Sequence, residues 1–304
     1  MSMVHEQPDI IEHAPIETWF GVGGGADRLT KPSSVEALHA CLAGHGPVRV
    51  LGDGANLLVD DAGVDGLVID LDTPAFTGVE VDARSGRVVA GAGVRLPALI
   101  NATVRAGLAG LEVLAGIPAS VGGAVVMNAG GKFGEIADAV AAVEGVDMAG
   151  NPVRLGRDQI DYGYRRSGLG DFIITSVEFA LTPDDPAAVR DRLKSCMAYK
   201  KNTQPLADHS AGCCFKNPTL ATDIDEIGEE GSRVSAGLLL DRAGCKGLAV
   251  GGASVSTAHA NFIVTQPGAT ARDVIRLMDL AASRVLDRFG VALEREVVVW
   301  ERTR

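Results

Sequence analysis

The chain is poor in aromatics: eight Phe, three Tyr and two Trp make up 4% of its 304 residues. Stacked rings therefore cannot dominate the core. Val, Leu, Ile and Ala must fill it, and an apolar fraction of 46% is enough to do so. Basic residues are also in deficit, 28 Lys and Arg against 39 Asp and Glu, for a net charge of -11. That balance argues against a nucleic-acid binder, which needs a basic face, but leaves room for a locally positive pocket that takes a small anion. The five cysteines (Cys41, Cys196, Cys213, Cys214, Cys245) are odd in number and lack CxxC spacing, so neither a disulfide framework nor a zinc site is expected. The six histidines form no HxxxH pair, and no metal is expected. No apolar run reaches the roughly 18 residues of a membrane span. Residues 1–16 lack a basic start followed by an apolar stretch, so no signal peptide is expected and the chain reads as cytoplasmic.

Glycine, by contrast, is abundant at 38 residues, and much of it is clustered. Clustered glycine signals tight turns or backbone lying close to a ligand. The length suits two or three lobes. Hydrophobic pattern and turn residues predict helices over 34–42, 96–106, 186–200 and 236–243. Thr270 and Asp273 form a capping box for a further helix that Gly290 ends. Short strands are expected over 48–51, 57–59, 67–71, 79–81, 87–90, 141–147, 152–155 and 172–181, with a closing strand over 291–299. The first part thus reads as strand–turn–strand rather than strand–helix–strand. Gly21, Gly23 and Ala26 match a degenerate dinucleotide fingerprint, but no apolar strand precedes them and Pro32 interrupts the helix that should follow, so a Rossmann unit is rejected.

Five segments could carry chemistry, each with a plainer reading beside it. Gly52-Asp53-Gly54-Ala55-Asn56 could aim amides at a phosphate, or be a hairpin turn. Between Gly116 and Gly130, Ile117-Pro118 fixes a rigid backbone and Ser120 to Gly123 could present further N–H groups; the alternative is close helix packing. Two such clusters together suggest a pyrophosphate-bearing cofactor. In Asp161-Tyr162-Gly163-Tyr164-Arg165-Arg166-Ser167, an arginine suits a planar carboxylate, or is merely a surface cation. Cys213-Cys214 is an inert buried pair, a rare vicinal disulfide, or a reactive thiol. Glu294 and Glu296 would share one face of a strand, as a functional pair or a solvated edge.

These segments, in this order, resemble the UDP-N-acetylenolpyruvoylglucosamine reductases of bacterial cell-wall synthesis. The resemblance runs from about Thr18 to the C-terminal strand. It is carried by Thr18…Gly23-Gly24…Ala26, by Leu51-Gly52…Gly54…Asn56-Leu57-Leu58-Val59 and by Leu114-Ala115-Gly116-Ile117-Pro118…Val121-Gly122-Gly123-Ala124…Met127-Asn128-Ala129-Gly130. Further along it rests on Tyr164-Arg165…Ser167, Gly212…Phe215-Lys216-Asn217-Pro218 and Lys246-Gly247. Gly251-Gly252-Ala253…His259-Ala260-Asn261-Phe262 and Leu293-Glu294…Glu296-Val297 complete it. It implies an α+β fold: a two-lobed FAD-binding domain of the vanillyl-alcohol-oxidase/PCMH type over 1–78 and 79–205, and a C-terminal α+β substrate-binding domain over 206–304. The short gap from Arg165 to Cys213 is similar to the type II form. FAD and NADPH are implied as cofactors and a UDP-sugar enolpyruvyl ether as substrate; the chain is expected to be a monomer. The alternatives are another flavoprotein oxidoreductase of this fold, or an inactive nucleotide-sugar binder.

Carried over residue by residue, the resemblance assigns FAD contacts to Gly52, Asp53, Gly54, Ala55, Asn56, Leu57, Gly116, Ile117, Pro118, Ser120, Val121, Gly122, Gly123, Asn128, Ala129 and Gly130. Tyr164, Lys201, Lys216 and Asn217 take the substrate. Lys200 and Arg166 add positive charge for its diphosphate, and His259 holds the turn between Gly251 and Phe262. Arg165 and Glu296 stabilise an enolate formed by hydride delivery to the vinyl ether. Cys213 stands where the family keeps a serine proton donor. A thiol, with a reference pKa of about 8.5, is the stronger acid, so the exchange preserves the role and adds sensitivity to oxidation. Ala55 also departs from the family, which commonly has serine there; one hydrogen bond is lost at most.

Overall fold

The computed structural model describes residues 9–42, 46–205 and 207–303. The start of the chain read for a targeting signal lies, as far as Pro8, outside the described residues, as does Leu206, where the third expected lobe opens. The chain forms two compact units woven from separate segments. The first comprises residues up to Ala14, Ala26–Asp53 and Asp65–Lys200; the second comprises Pro15–Gly25, Gly54–Val64 and the residues from Lys201 onward.

In the first unit a five-stranded antiparallel sheet runs in the order Pro152–Gly156, Val140–Asp147, Phe172–Ala180, Arg87–Gly91, Val79–Asp82. Its central strand alternates as a half-covered antiparallel strand should, with Val177 and Phe179 fully buried. A four-stranded sheet has the order Ile10–Ala14, Ala26–Thr30, Val64–Asp70, Val48–Leu51. From Val48 to Gly91 the expected strand–turn–strand order holds along the chain, but two strands before it were not foreseen and the pairing is not that of consecutive hairpins. Val48–Leu51 runs parallel to Val64–Asp70, and helix α1 (Val35–Leu42) stands between Ala26–Thr30 and Val48–Leu51. The missed strands read IIEHA and ADRLT, too short and polar to register as strand signals.

Helix α2 (Leu96–Arg105) opens with proline in its first turn, where a missing N–H costs nothing, and buries Leu96, Leu99, Ile100 and Val104. Helix α3 (Val121–Val126) is capped by Ser120. As the composition demands, Phe76 and Phe179 are the only rings among the largest fully buried side chains of this core, and aliphatic residues fill the rest. Helix α4 (Pro186–Thr203) buries Val189, Cys196 and Lys200, while Met197, expected on that face, is exposed.

The second unit is built around helix α6 (Ala271–Phe289), with helix α5 (Ala236–Arg242) and a three-stranded antiparallel sheet, Ala249–Val250, Ala253–Val255, Ile263–Thr265, packed on it. Both halves of the Thr270–Asp273 capping box form, and Gly290 closes α6 with φ 68°. Asp61 accepts from the amides of Ala271 and Arg272 at 2.7 and 3.0 Å, satisfying two more donors of the first turn. The closing strand is shorter than expected: only Val298–Trp300 pairs, parallel to Leu57–Val59. The preceding residues instead bond to 214–216, through Glu296 N to Cys214 O at 2.8 Å and Lys216 N to Glu294 O at 2.9 Å. Glu294 and Glu296 therefore do not share a regular strand face. No described helix is long and apolar enough to cross a membrane.

Candidate active-site residues

In the first unit, three segments carry the expected site residues. The loop from Gly116 passes against α4. A Cβ at Gly116 would lie 3.0 Å from Lys200 Cδ and 3.1 Å from Met197 Sδ, and φ is +75°, so only glycine fits this approach. Upstream, buried Glu112 accepts from Gly110 N at 2.5 Å and from Arg192 Nε, also on α4, at 2.8 Å. The backbone of residues 110–116 is thus fixed to one helix at both ends. Ile117-Pro118 follows, and then α3.

The first-turn amides of α3 are already committed. Val121 N donates to Val94 O at 2.8 Å, Gly122 N to Ala92 O at 2.9 Å, and Gly123 N to Ser120 Oγ at 3.2 Å. What Val121, Gly122 and Gly123 can offer a ligand is Cα and side-chain surface rather than N–H groups.

Past α3, Asn128 is fully buried with φ 44°. Its amide donates to Gly163 O at 3.0 Å and accepts from Ala137 N at 3.3 Å. Ala129 N donates to Ala124 O, and Gly130 O accepts from Arg165 Nη2 at 3.0 Å. The Tyr164-Arg165 pair forms the tip of a turn closed by mutual Gly163–Arg166 backbone bonds, and the Arg165 guanidinium lies 5.0 Å from the Tyr164 ring centroid. Arg166 pairs with exposed Asp161 at 2.7 Å, a surface ion pair of little energetic weight. Tyr162 packs inward against the core. Burial pushes its phenol up to about 12, and its hydroxyl has no partner among the described residues.

In the second unit, residues 213–216 run between two neighbouring segments. Cys213 pairs with Phe262 and Phe215 with Arg295. Asn261 grips this segment: its Oδ1 accepts from Phe215 N at 2.9 Å and its Nδ2 donates to Phe215 O at 2.8 Å. Cys214 N donates to Asn261 O at 2.8 Å. The two neighbouring thiols end up in different surroundings. Cys213 is half-buried; Cys214 is buried, and desolvation pushes its thiol up to about 12. No disulfide joins them. Lys216 Nζ meets Glu294 Oε1 at 2.6 Å, and Asn217 Oδ1 accepts from Ala236 N at 3.0 Å. Asn56 brackets the Glu296 segment: its Nδ2 donates to Glu296 O at 3.0 Å and its carbonyl accepts from Val298 N at 3.0 Å. Lys201 is exposed at the end of α4. His259 Nδ1 accepts from Asn261 N at 3.2 Å, and burial lowers its pKa, which keeps the ring neutral and able to accept.

Asn261 was within reach of the sequence but was given no role. An amide between Ala260 and Phe262 in an apolar run must find partners for both of its polar atoms, and that requirement is the signal.

Each unit carries backbone amides that would suit a phosphate-bearing cofactor. Among the described residues, the amides of Gly52 and Asp53 in the first unit, and of Gly54, Ala55 and Asn56 in the second, donate to no protein acceptor. Successive unsatisfied amides beside glycine suit an anion. Gly54 cannot be replaced without strain: φ is +63°, and a Cβ would sit 2.3 Å from Glu17 O. The Asp53 carboxylate, which would repel a phosphate, is held by Arg95 at 3.2 Å. Among the described residues no cluster of His, Cys, Asp and Glu could hold a metal.

Comparison with known proteins places this geometry in context. Residues 28–156 match the FAD binding domain family, and residues 204–300 match the C-terminal domain of UDP-N-acetylenolpyruvoylglucosamine reductase. The chain is 42% identical to the UDP-N-acetylenolpyruvoylglucosamine reductase of Desulfosudis oleivorans, over 93% of this chain and 91% of that one. It is 40% identical to the enzyme of that name from Moorella thermoacetica, over 93% and 90%. Its fold is similar to the crystal structure of UDP-N-acetylenolpyruvylglucosamine reductase from Thermus caldophilus, with a TM-score of 0.77 and 37% identity over 97% of this chain and 99% of that one. The α+β architecture with an FAD-binding domain thus stands, and the chain belongs to the UDP-N-acetylenolpyruvoylglucosamine reductase family of FAD-dependent oxidoreductases.

Proposed function

We propose that this chain reduces the enolpyruvyl ether of UDP-N-acetylglucosamine to UDP-N-acetylmuramate, with NADPH as electron donor and Cys213 as proton donor. The observation that carries the Cys213 assignment is the contrast between two adjacent thiols: Cys213 is half-buried, whereas Cys214 is buried and its thiol is pushed up to about 12. That contrast supports Cys213 rather than Cys214 as the thiol that exchanges a proton with a ligand.

Bound FAD would supply a two-electron carrier, taking hydride from NADPH and passing it to the vinyl carbon of the substrate. Gly52, Asp53, Gly54, Ala55 and Asn56 would hold its pyrophosphate through open amides, and Leu57, Gly116, Ile117, Pro118, Ser120, Val121, Gly122, Gly123, Ala129 and Gly130 would line it with backbone. Asn128 would belong to that wall through its backbone, because its side chain is committed to Gly163 and Ala137.

Negative charge develops beside the substrate carboxylate as hydride arrives. Arg165 offers a permanent cation for it, and Glu296 a hydrogen-bonding acid. Cys213 then gives its proton to the enolate carbon, leaving a thiolate that solvent reprotonates. The thiol is the stronger acid compared with a hydroxyl, so the step needs no separate activating base. Tyr164, Lys201, Lys216 and Asn217 would bind the nucleotide sugar.

Anaerobic stopped-flow spectroscopy tests the proposal by separating flavin reduction by NADPH from reoxidation by the enolpyruvyl substrate. Cys213→Ser keeps substantial reoxidation. Cys213→Ala leaves reduction intact and slows reoxidation by about 10²–10⁴-fold, the usual range for loss of a general acid. Full activity in Cys213→Ala, with loss in Cys214→Ala, would show that the wrong thiol has been chosen.

A further inference from the structure

Left-handed backbone at a non-glycine residue is rare, and among the described residues only His13, Asn128, Arg165 and Glu226 adopt it. Two of these four are tied to each other by a reciprocal pair of hydrogen bonds. Asn128 Nδ2 reaches the carbonyl of Gly163, two residues before Arg165, at 3.0 Å. Arg165 Nη2 reaches the carbonyl of Gly130, two residues after Asn128, at 3.0 Å. Each side chain thus crosses to the backbone that bends around the other.

From this clamp we infer that Asn128 is a positioning residue for Arg165, fixing the height and direction of the guanidinium through the Gly163 carbonyl. The inference rests on the reading that Arg165 stabilises the enolate.

The chemistry of the clamp is specific. The Gly163–Arg166 turn has two tip residues, Tyr164 and Arg165, with φ 56° at the second. Glycine would form that turn with less strain, but would bring no cation. An arginine there needs its turn anchored from outside, and the anchor must be a donor, because the group presented is a carbonyl. Asn128 supplies the donor, and its carbonyl oxygen meets Ala137 N at 3.3 Å, so the amide can bind in only one sense. Asparagine also tolerates the left-handed φ of 44° that aims its side chain across the gap. An aspartate would keep the acceptor for Ala137 and set a carboxylate against the Gly163 carbonyl. A glycine would keep the backbone and lose both bonds. Arg165 is then located twice: its Cα by Asn128, and its head group by Gly130 O and the face of Tyr164.

The experiment uses the flavin-loaded enzyme as Asn128→Gly, Asn128→Asp, Arg165→Ala and the double variant Asn128→Gly/Arg165→Ala. Misplacing a catalytic group by about 1 Å is worth about 10²-fold, so Asn128→Gly is expected to slow reoxidation by the enolpyruvyl substrate about 10–100-fold. Rates are normalised to bound flavin and the reduction by NADPH is followed separately, so that any change in cofactor binding at Asn128 is told apart from the effect on the cation. Residues that act through one another are not additive, so in the Arg165→Ala background the Asn128→Gly change costs less than about twofold more. A readout that does not depend on turnover is the ¹⁵N NMR signal of Arg165 Nε–Hε, assigned by its loss in Arg165→Ala; in Asn128→Gly it should shift and report increased motion.

A double variant whose defect is the product of the two single defects overturns the inference, as does an unchanged Arg165 signal. If Asn128→Gly fails to retain flavin, Asn128→Asp carries the same test, and parental reoxidation in that variant overturns the clamp. Should Arg165→Ala itself reoxidise at the parental rate, the role of Arg165 falls; if it is slow while Asn128→Gly is not, the clamp alone falls.

Discussion

The two segments proposed to carry the chemistry are held in opposite ways. Residues 213–216 in the second unit have backbone partners on both sides, at 261–262 and at 294–296, as a central strand does. Residues 163–166 in the first unit form a bare turn, with Arg165 in left-handed backbone. A buried asparagine serves both. Asn261 binds the N–H and C=O of one residue, Phe215, and so acts as a missing strand partner. Asn128 binds two residues far apart in sequence, Gly163 and Ala137, and so acts as a brace. Where a ladder can run, the amide completes it; where no ladder exists, the amide replaces it. The first arrangement should fail as lost stability, the second as lost alignment.

The largest effect that would sharpen this contrast is expected at Asn261. Asn261→Ala strips both backbone groups of buried Phe215, and each unsatisfied group costs about 1–3 kcal/mol, so denaturant unfolding should show a loss of about 2–6 kcal/mol. A loss below about 1 kcal/mol would mean that water or a neighbouring amide takes over, and the ladder reading would break. A smaller effect is expected at Asn56, which brackets Glu296 from outside the 213–216 segment. In Asn56→Ala the backbone bond from Val298 survives, so about 1 kcal/mol should go with the side-chain bond, together with a few-fold slowing of reoxidation by substrate, measured by stopped flow. An equal loss in flavin reduction would show that the side chain also supports the cofactor contact proposed for the Asn56 backbone.

The smallest effect concerns pH, at the five-stranded sheet of the first unit. Glu178 accepts from Arg87 at 3.0 Å and Arg154 at 3.3 Å, and its carboxyl lies below its ordinary 4.5, chiefly through the Arg87 hydrogen bond. Because the folded value is depressed, its contribution is fully present above the unfolded pKa and is lost as pH falls through the folded one. The Tm difference between parent and Glu178→Gln should therefore be constant near neutrality and vanish in acid below the ordinary carboxylate range. A difference that persists there would assign the effect to packing.

Much of the architecture was legible from periodicity and caps. The Thr270–Asp273 box and Gly290 mark the ends of α6, because capping is local chemistry. The strands IIEHA and ADRLT were not legible, since their burial follows no alternation and five positions give no reliable period. The closing strand was read too long because a run of alternating residues cannot reveal that a neighbour, 214–216, takes its hydrogen bonds. The same limit applies to the glycine clusters. Residues 52–56 and 120–123 look alike as sequence, yet the amides of the first are open while Val94, Ala92 and Ser120 take those of the second. Hydrogen-bond competition is a tertiary property, and composition is blind to it.

The burial of four of the five sulfurs has a practical consequence. Toward a soft electrophile, the folded protein should behave as though it had one cysteine, and that cysteine sits where a serine would offer no comparable nucleophile. With Cys213 at the nucleotide-sugar site as proposed, a mild alkylating group carried on a uridine diphosphate scaffold would find a single address. The departure that makes the site chemically unusual also makes it a handle for selective covalent capture.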